Sequence, residues 1–308
     1  MKITRLLPAL LPLLFTVPLP AQDVDPAKIE IKTEKVGEGL YMLAGAGGNI
    51  GLAVGPDAVF MIDDEFAPLT PKIRAAVTQL TQKPIKFLLN THWHGDHTGG
   101  NKDHGEAGVL IIAHENVRKR MSVGQFMAAF NTQVPPAPAA ALPVVTFTDS
   151  VTFHLNGEEI RALHMPPAHT DGDSVVLFKN ANIWHLGDLF FNGLYPFIDT
   201  GSGGSVDGMI SDAEILLAKI DANSKLIPGH GPLAGKADYQ RFHDMLKTVR
   251  DSIVPMIKAG KSQKDVQAAK PTKDFDEKWG KGFLTPDQFV GIVYDSLKPK
   301  AAVTEKGK

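Results

Sequence analysis

Four side chains able to hold a metal ion, His92, His94, Asp96 and His97, fall within the run His92-Trp93-His94-Gly95-Asp96-His97. Imidazole nitrogen and carboxylate oxygen are groups that zinc accepts, at roughly 2.0–2.2 Å. In extended backbone, residues two apart point the same way, so His92 and His94 can reach one point together. Asp96 and His97 follow once Gly95 lets the chain bend. Four such groups crowded together are costly to bury without a compensating charge. A lone histidine reads as structural and a histidine-rich loop can simply be solvated. This cluster, following an apolar strand, reads as a metal site.

Three later residues extend the set, each at the end of an expected strand or on a turn. His169 sits in Pro166-Pro167-Ala168-His169-Thr170-Asp171-Gly172-Asp173, Asp188 follows Ile183-Trp184-His185-Leu186-Gly187, and His230 lies in Pro228-Gly229-His230-Gly231. Six nitrogen and carboxylate ligands plus one bridging carboxylate would serve two zinc ions, each retaining a position for solvent. The chain has no cysteine, so thiolate ligands, disulfides and lipid attachment through sulfur are excluded. Of its 11 histidines, His104, His114, His154, His164, His185 and His243 belong to no matching motif and read as structural. His185 also alternates away from Asp188 in strand phase, which favours a core or opposite-face role.

The elements that must position these residues come in two similar β-rich halves. In the first, Gly39–Leu43, Ile50–Val54 and Ala58–Ile62 read as strands, with turns at Gly45–Asn49 and Gly55-Pro56-Asp57. Thr70-Pro71 opens a helix running towards Leu80. Ile85–Leu89 is a short strand leading into the histidine loop, and a second helix is expected from about Thr98, where Gly99 and Gly100 allow close backbone approach. In the second half, Val151–Leu155, Glu159–Leu163, Ser174–Lys179, Ile183–Gly187 and Lys225–Ile227 read as strands and Asp212–Ile220 as a helix. Two such halves imply sheet on sheet with helices outside. Residues 119–146, a helical start turning Pro/Ala-rich, and 189–208, aromatic then glycine-rich, read either as loops over the site or as surface connections.

Residues 1–21 read as a secretory signal peptide: Lys2 and Arg5 precede the apolar run Leu6–Leu19, and Ala21 marks a cleavage point. A retained anchor would need about 20 apolar residues, without the breaks at Pro8, Pro12 and Pro18. The expectation is therefore a periplasmic or secreted protein with no stable membrane insertion, comprising a main domain over 22–235 and a helical, amphipathic extension over 236–308, frayed from Lys298. A formal charge of −2 and the lack of a Lys/Arg stripe beside the ligand motifs argue against nucleic acid. A small molecule is the expected partner.

On the His-x-His-x-Asp-His motif and the three downstream ligands in order, residues 36–235 resemble the metallo-β-lactamase superfamily. The resemblance implies an α/β fold, the four-layer αββα sandwich, with the site at one edge between the sheets. It implies that His92, His94 and His169 hold one zinc, that Asp96, His97 and His230 hold the other, and that Asp188 bridges. The activity implied is hydrolysis of an ester, lactone, thioester, amide or β-lactam carbonyl by hydroxide generated at two zincs, with Asp96 orienting the nucleophile or relaying its proton. Iron and manganese are the rival metals. Diiron oxidoreductases of the superfamily usually carry glutamate at the position of His94, and imidazole there favours zinc. The most familiar exported β-lactamases place cysteine at the position of Asp188 and lysine three residues later, where this chain has Phe191; genuine β-lactam hydrolysis is thus the alternative activity. The bridging aspartate is similar to glyoxalase II, whose glutathione thioesters are chiefly cytosolic, against the expectation of export. A zinc-binding protein without turnover is the reading of another class.

Overall fold

The computed structural model describes residues 25–298, so the expected signal peptide and the last ten residues lie outside it. The first half builds a seven-stranded sheet. Strands β1 (Lys32–Gly37), β2 (Leu40–Ala44), β3 (Ile50–Val54) and β4 (Val59–Ile62) pair antiparallel in sequence order. Strands β5 (Ile85–Asn90) and β6 (Leu110–His114) then add in parallel. A small hairpin follows, β7 (Gln125–Met127) with β8 (Thr132–Val134), before β9 (Val145–Phe147) completes the sheet beside β6. The second sheet runs β10 (Ser150–Leu155), β11 (Glu158–His164), β12 (Ser174–Phe178), β13 (Ile183–His185), β14 (Lys225–Ile227) and β15 (Ala234–Gly235), with only β13 and β14 parallel.

Strand alternation separates three apolar layers. Phe60, Ile62, Leu89 and Ile112 of the first sheet meet Ile160, Val176, Phe178 and Ile227 of the second, forming the layer between sheets. Val59, Met61 and Leu88 point the other way, against Ile73 and Val77 of α1 (Thr70–Leu80). Both faces of β4 are thus covered, which explains its four consecutive buried apolar residues. Short helices α2 (Gly95–Thr98), α3 (Asn101–Glu106) and α4 (Glu115–Met121) follow the first sheet's parallel strands. Outside the second sheet lie α5 (Val206–Leu217) and α6 (Lys236–Lys258), followed by α7 (Gln263–Ala268), α8 (Asp276–Trp279) and α9 (Pro286–Leu297). Their Met209, Leu216, Tyr239, Phe242, Phe289 and Val293 share one core with Trp184, Phe190 and Leu226. The four αββα layers are those expected.

Several local readings shift. The turn after His94 is a helical start, and a Cβ on Gly95 would meet nothing within 4 Å, so a larger residue would have room there. The expected helix near Thr98 is two short helices, interrupted at Gly99 and Gly100. A Cβ on Gly99 would sit 2.6 Å from the Glu65 carbonyl oxygen, so the expected close approach is real. β13 stops at His185, two residues short, and Asp188 lies in a 3-10 turn. Helix α5 begins at Val206, six residues early, because the Ser205 side chain accepts from the Gly208 N–H and caps it.

Candidate metal centre

All seven residues picked out by spacing meet at one edge between the sheets. His92 to His97 follow β5, His169 lies between β11 and β12, Asp188 follows β13, and His230 follows β14. The ligand-type atoms of His92, His94, His169 and Asp188 lie within 4.8 Å of one another, and so do those of Asp96, His97 and His230. Asp188 stands between the groups. Its Oδ2 is 3.3 Å from His169 Nε2 and 3.6 Å from His92 Nε2; its Oδ1 is 3.1 Å from His97 Nε2 and 3.5 Å from His230 Nε2. Gly229 makes room for it, since a Cβ there would fall 2.0 Å from Asp188 Oδ1.

Outer partners decide which nitrogen of each ring carries the proton. His94 Nε2 faces Asp199 Oδ2 at 3.1 Å, His97 Nδ1 faces Asp63 Oδ2 at 2.8 Å, and His169 Nδ1 faces the Phe197 carbonyl oxygen at 2.7 Å. The Thr91 hydroxyl donates to Asp63 at 2.7 Å, leaving its oxygen to accept from His92 Nδ1 at 3.0 Å. Each of these four rings therefore donates outward and turns its other nitrogen inward. The inward His94 Nδ1 and His169 Nε2 lie only 2.9 Å apart, while His92 Nε2 and Asp188 Oδ1 are buried without a hydrogen-bond partner. Converging lone pairs repel unless a cation sits among them, and the donor set fits a divalent metal. Burial pushes the His92 imidazole down and that of His169 to about 4, so both stay neutral. Burial also opposes charge on His97 and His230, yet the Asp188 and Asp96 carboxylates outweigh it and raise both, His230 to about 9, so that without a metal ion a second proton sits on these two rings where a cation would displace it. Asp96 is the most open carboxylate of the set, with its side chain 28% exposed.

Spacing missed the outer partners. Asp63 follows β4 with φ +59° and opens the acidic run Asp63-Asp64-Glu65, a run that was visible in the sequence. Asp199 sits in the 189–208 segment, where it also accepts from the Gly201 and Ser202 N–H groups; nothing in its sequence context marks it. Ser202 Oγ in turn accepts from Trp93 Nε1 at 3.0 Å, tying the residue between two ligands to the same turn. That segment serves both: Phe190 and Phe191 pack in the helical core, Phe191 also stacks on His230 with ring centroids 5.0 Å apart, and Phe197 lies 5.5 Å from His94. His185 is buried with Nε2 3.0 Å from the Asn49 carbonyl oxygen, a core role as expected. His114 and His164 stack on each other at 3.6 Å, outside the cluster. A surface hollow of about 490 Å³, lined by Val36, Gly39, Asn156 and Lys225 among others, shares no residue with the site.

The family model described as the metallo-beta-lactamase superfamily matches residues 44–230, which contain all seven residues. The chain belongs to that superfamily. Among curated relatives it is 23% identical over 159 residues to a metallo-beta-lactamase type 2 of Bacteroides fragilis, covering 52% of this chain and 58% of that one. It is 36% identical over 97 residues to a hydroxyacylglutathione hydrolase of Erythrobacter litoralis (strain HTCC2594), covering 30% and 34%. It is 24% identical over 145 residues to the 2,4-dinitroanisole O-demethylase subunit alpha of Nocardioides sp. (strain JS1661), covering 45% and 40%. The chain thus spans between about a third and three fifths of the length of these relatives. Among solved structures, the DIM-1 metallo-beta-lactamase superposes with TM-score 0.58 at 18% identity, covering 72% of this chain and 99% of that one. A metallo-beta-lactamase from Pontibacter korlensis gives 0.59 at 18% identity, covering 71% and 99%. Among the described residues no helix is long and apolar enough to cross a membrane.

Proposed function

We propose that this chain is an exported hydrolase of ester, lactone, thioester or amide carbonyls, working with two zinc ions. The observation that carries the reading is the set of imidazoles whose outward partners leave their inner nitrogens converging beside Asp188. His92, His94 and His169 would hold one ion, Asp96, His97 and His230 the other, and Asp188 would serve both. Bound there, the ions would supply Lewis acidity towards a carbonyl oxygen and lower the pKa of water towards neutrality.

The protein's own contribution is alignment and proton transfer. Asp96, the most open carboxylate, can accept a proton from an attacking water at Oδ2, which faces His230 Nε2 at 3.3 Å. Hydrolysis then adds the water oxygen to the acyl carbon, breaks the bond to the leaving atom, and returns the proton to that atom. The buried ring of Phe191 lies parallel to His230, so this position offers no cation for the carboxylate of a β-lactam, and slow β-lactam turnover is expected. The Leu6–Leu19 run supports export.

The test is metal content measured on the same sample as turnover of a lactone, a thioester, an aryl ester and a chromogenic cephalosporin. Two zinc equivalents, loss of turnover in chelator and recovery on zinc addition are expected. A rate indifferent to chelator would overturn the reading, and tight zinc binding without turnover of any substrate would favour a binding protein instead.

A further inference from the structure

Each group of candidate ligands is backed by a buried phenylalanine that leads to a more open one. On one side His230 stacks on Phe191, and the Phe283 ring stands 6.2 Å from His230 and 6.3 Å from Phe191. On the other, Phe197 lies 5.5 Å from His94 and 6.0 Å from His169, and Phe130 packs on Phe197 at 4.8 Å. The two outer rings come from segments far apart in the chain. Phe283 lies between α8 and α9 in the C-terminal helical region, and Phe130 lies at the tip of the β7–β8 hairpin. Phe283 is 53% exposed although its neighbour Leu284 is buried, so the loop is anchored while the ring is left in water. Single exposed apolar residues are common, but this one stands beside a candidate ligand.

Of two cations on the flanking segments, one is neutralised and one is exposed. Arg120 is engaged by both oxygens of Asp171, at 3.0 and 2.7 Å. Lys281, two residues before Phe283, is exposed on the loop and is the cation a test must discount.

We propose that Phe283 and Phe130 are the two walls of the substrate mouth, and that they select esters or lactones whose acyl part is an uncharged alkyl chain of several carbons. This rests on the hydrolase reading for turnover but not for binding. In the zinc-loaded full chain, kcat/KM for p-nitrophenyl octanoate should exceed that for the acetate by at least tenfold. Phe283→Ala should cut that ratio about tenfold, Phe130→Ala should cut it too, and Phe283→Leu should retain most of it. A ratio unchanged by Phe283→Ala, or a preference for an acyl chain ending in carboxylate, would overturn the proposal. Octan-2-one, which cannot be hydrolysed, separates the two readings by calorimetry. If it binds and Phe283→Ala weakens binding about tenfold while no ester turns over, the mouth stands and the hydrolase falls. If acetate turns over and octan-2-one does not bind, the hydrolase stands and the mouth falls.

Discussion

Asp199 shows how much of a candidate metal centre lies one residue behind the groups that would be its ligands. Its carboxylate fixes the proton on His94 Nε2 and frees Nδ1 to face His169, while two backbone N–H groups hold the carboxylate itself in place. Removing such outer partners typically weakens metal binding 10–100-fold. Asp199→Ala should therefore lower zinc affinity by about that factor, read by competition with a chromogenic chelator, with Asp199→Asn retaining part of it. The seven inner residues were legible in the sequence because a metal site demands particular side chains at close spacing, next to strand ends. Asp199 and Asp63 were not. An acid that orients a ring needs only the right place in space, and chain spacing does not encode that place.

Among the elements, the α5–α6 layer carries an unusual polar residue. Asp212 of α5 is fully buried with neither carboxylate oxygen hydrogen-bonded, and the Tyr239 hydroxyl of α6 is likewise unpartnered. Burial, with Asp173 adding to it, raises the Asp212 carboxyl to about 8. A folded-state value above the unfolded one means that the folded chain binds the extra proton. Stability from this group is therefore fully present below the ordinary aspartate range and is lost as pH rises through about 8. Within that window the loss is at most about 1.4 kcal/mol per pH unit. Asp212→Asn should melt several degrees above the parent at pH 8.5, and the gap should shrink towards pH 5; thermal melts across that range decide it. Sequence periodicity found the second half of this helix and missed its start, because Asp207 and Gly208 break the apolar pattern that Ser205 caps. The β7–β8 hairpin was equally hidden: strands of three residues carry too little alternation to register.

For the molecule as a whole, the candidate ligands join loops from both sheets, so cation binding would be linked to the folding of the entire sandwich. Ions bound only by the folded state at about 1,000 times their Kd add roughly 4 kcal/mol. Chelation should then lower the melting temperature by several degrees, and zinc should restore it in proportion to the logarithm of its concentration. No shift would mean that the seven residues hold no tight ion. The layered architecture was legible from strand and helix order, whereas the depth to which the C-terminal helices share the core was not: Phe242 and Phe289 look like ordinary amphipathic positions until Phe190 is seen among them.

At the edge where the sheets meet, Asn49 reaches the turn around His230 in three places. Its backbone N–H donates to the Gly229 carbonyl at 2.7 Å, and its side-chain amide donates to those of Pro228 and Gly231 at 2.9 and 2.8 Å. This rivet is made of amide and carbonyl groups, in a chain without a single thiol. A reductant finds nothing there to cut, so the gap beside the histidines would keep its width in reducing or oxidising surroundings alike.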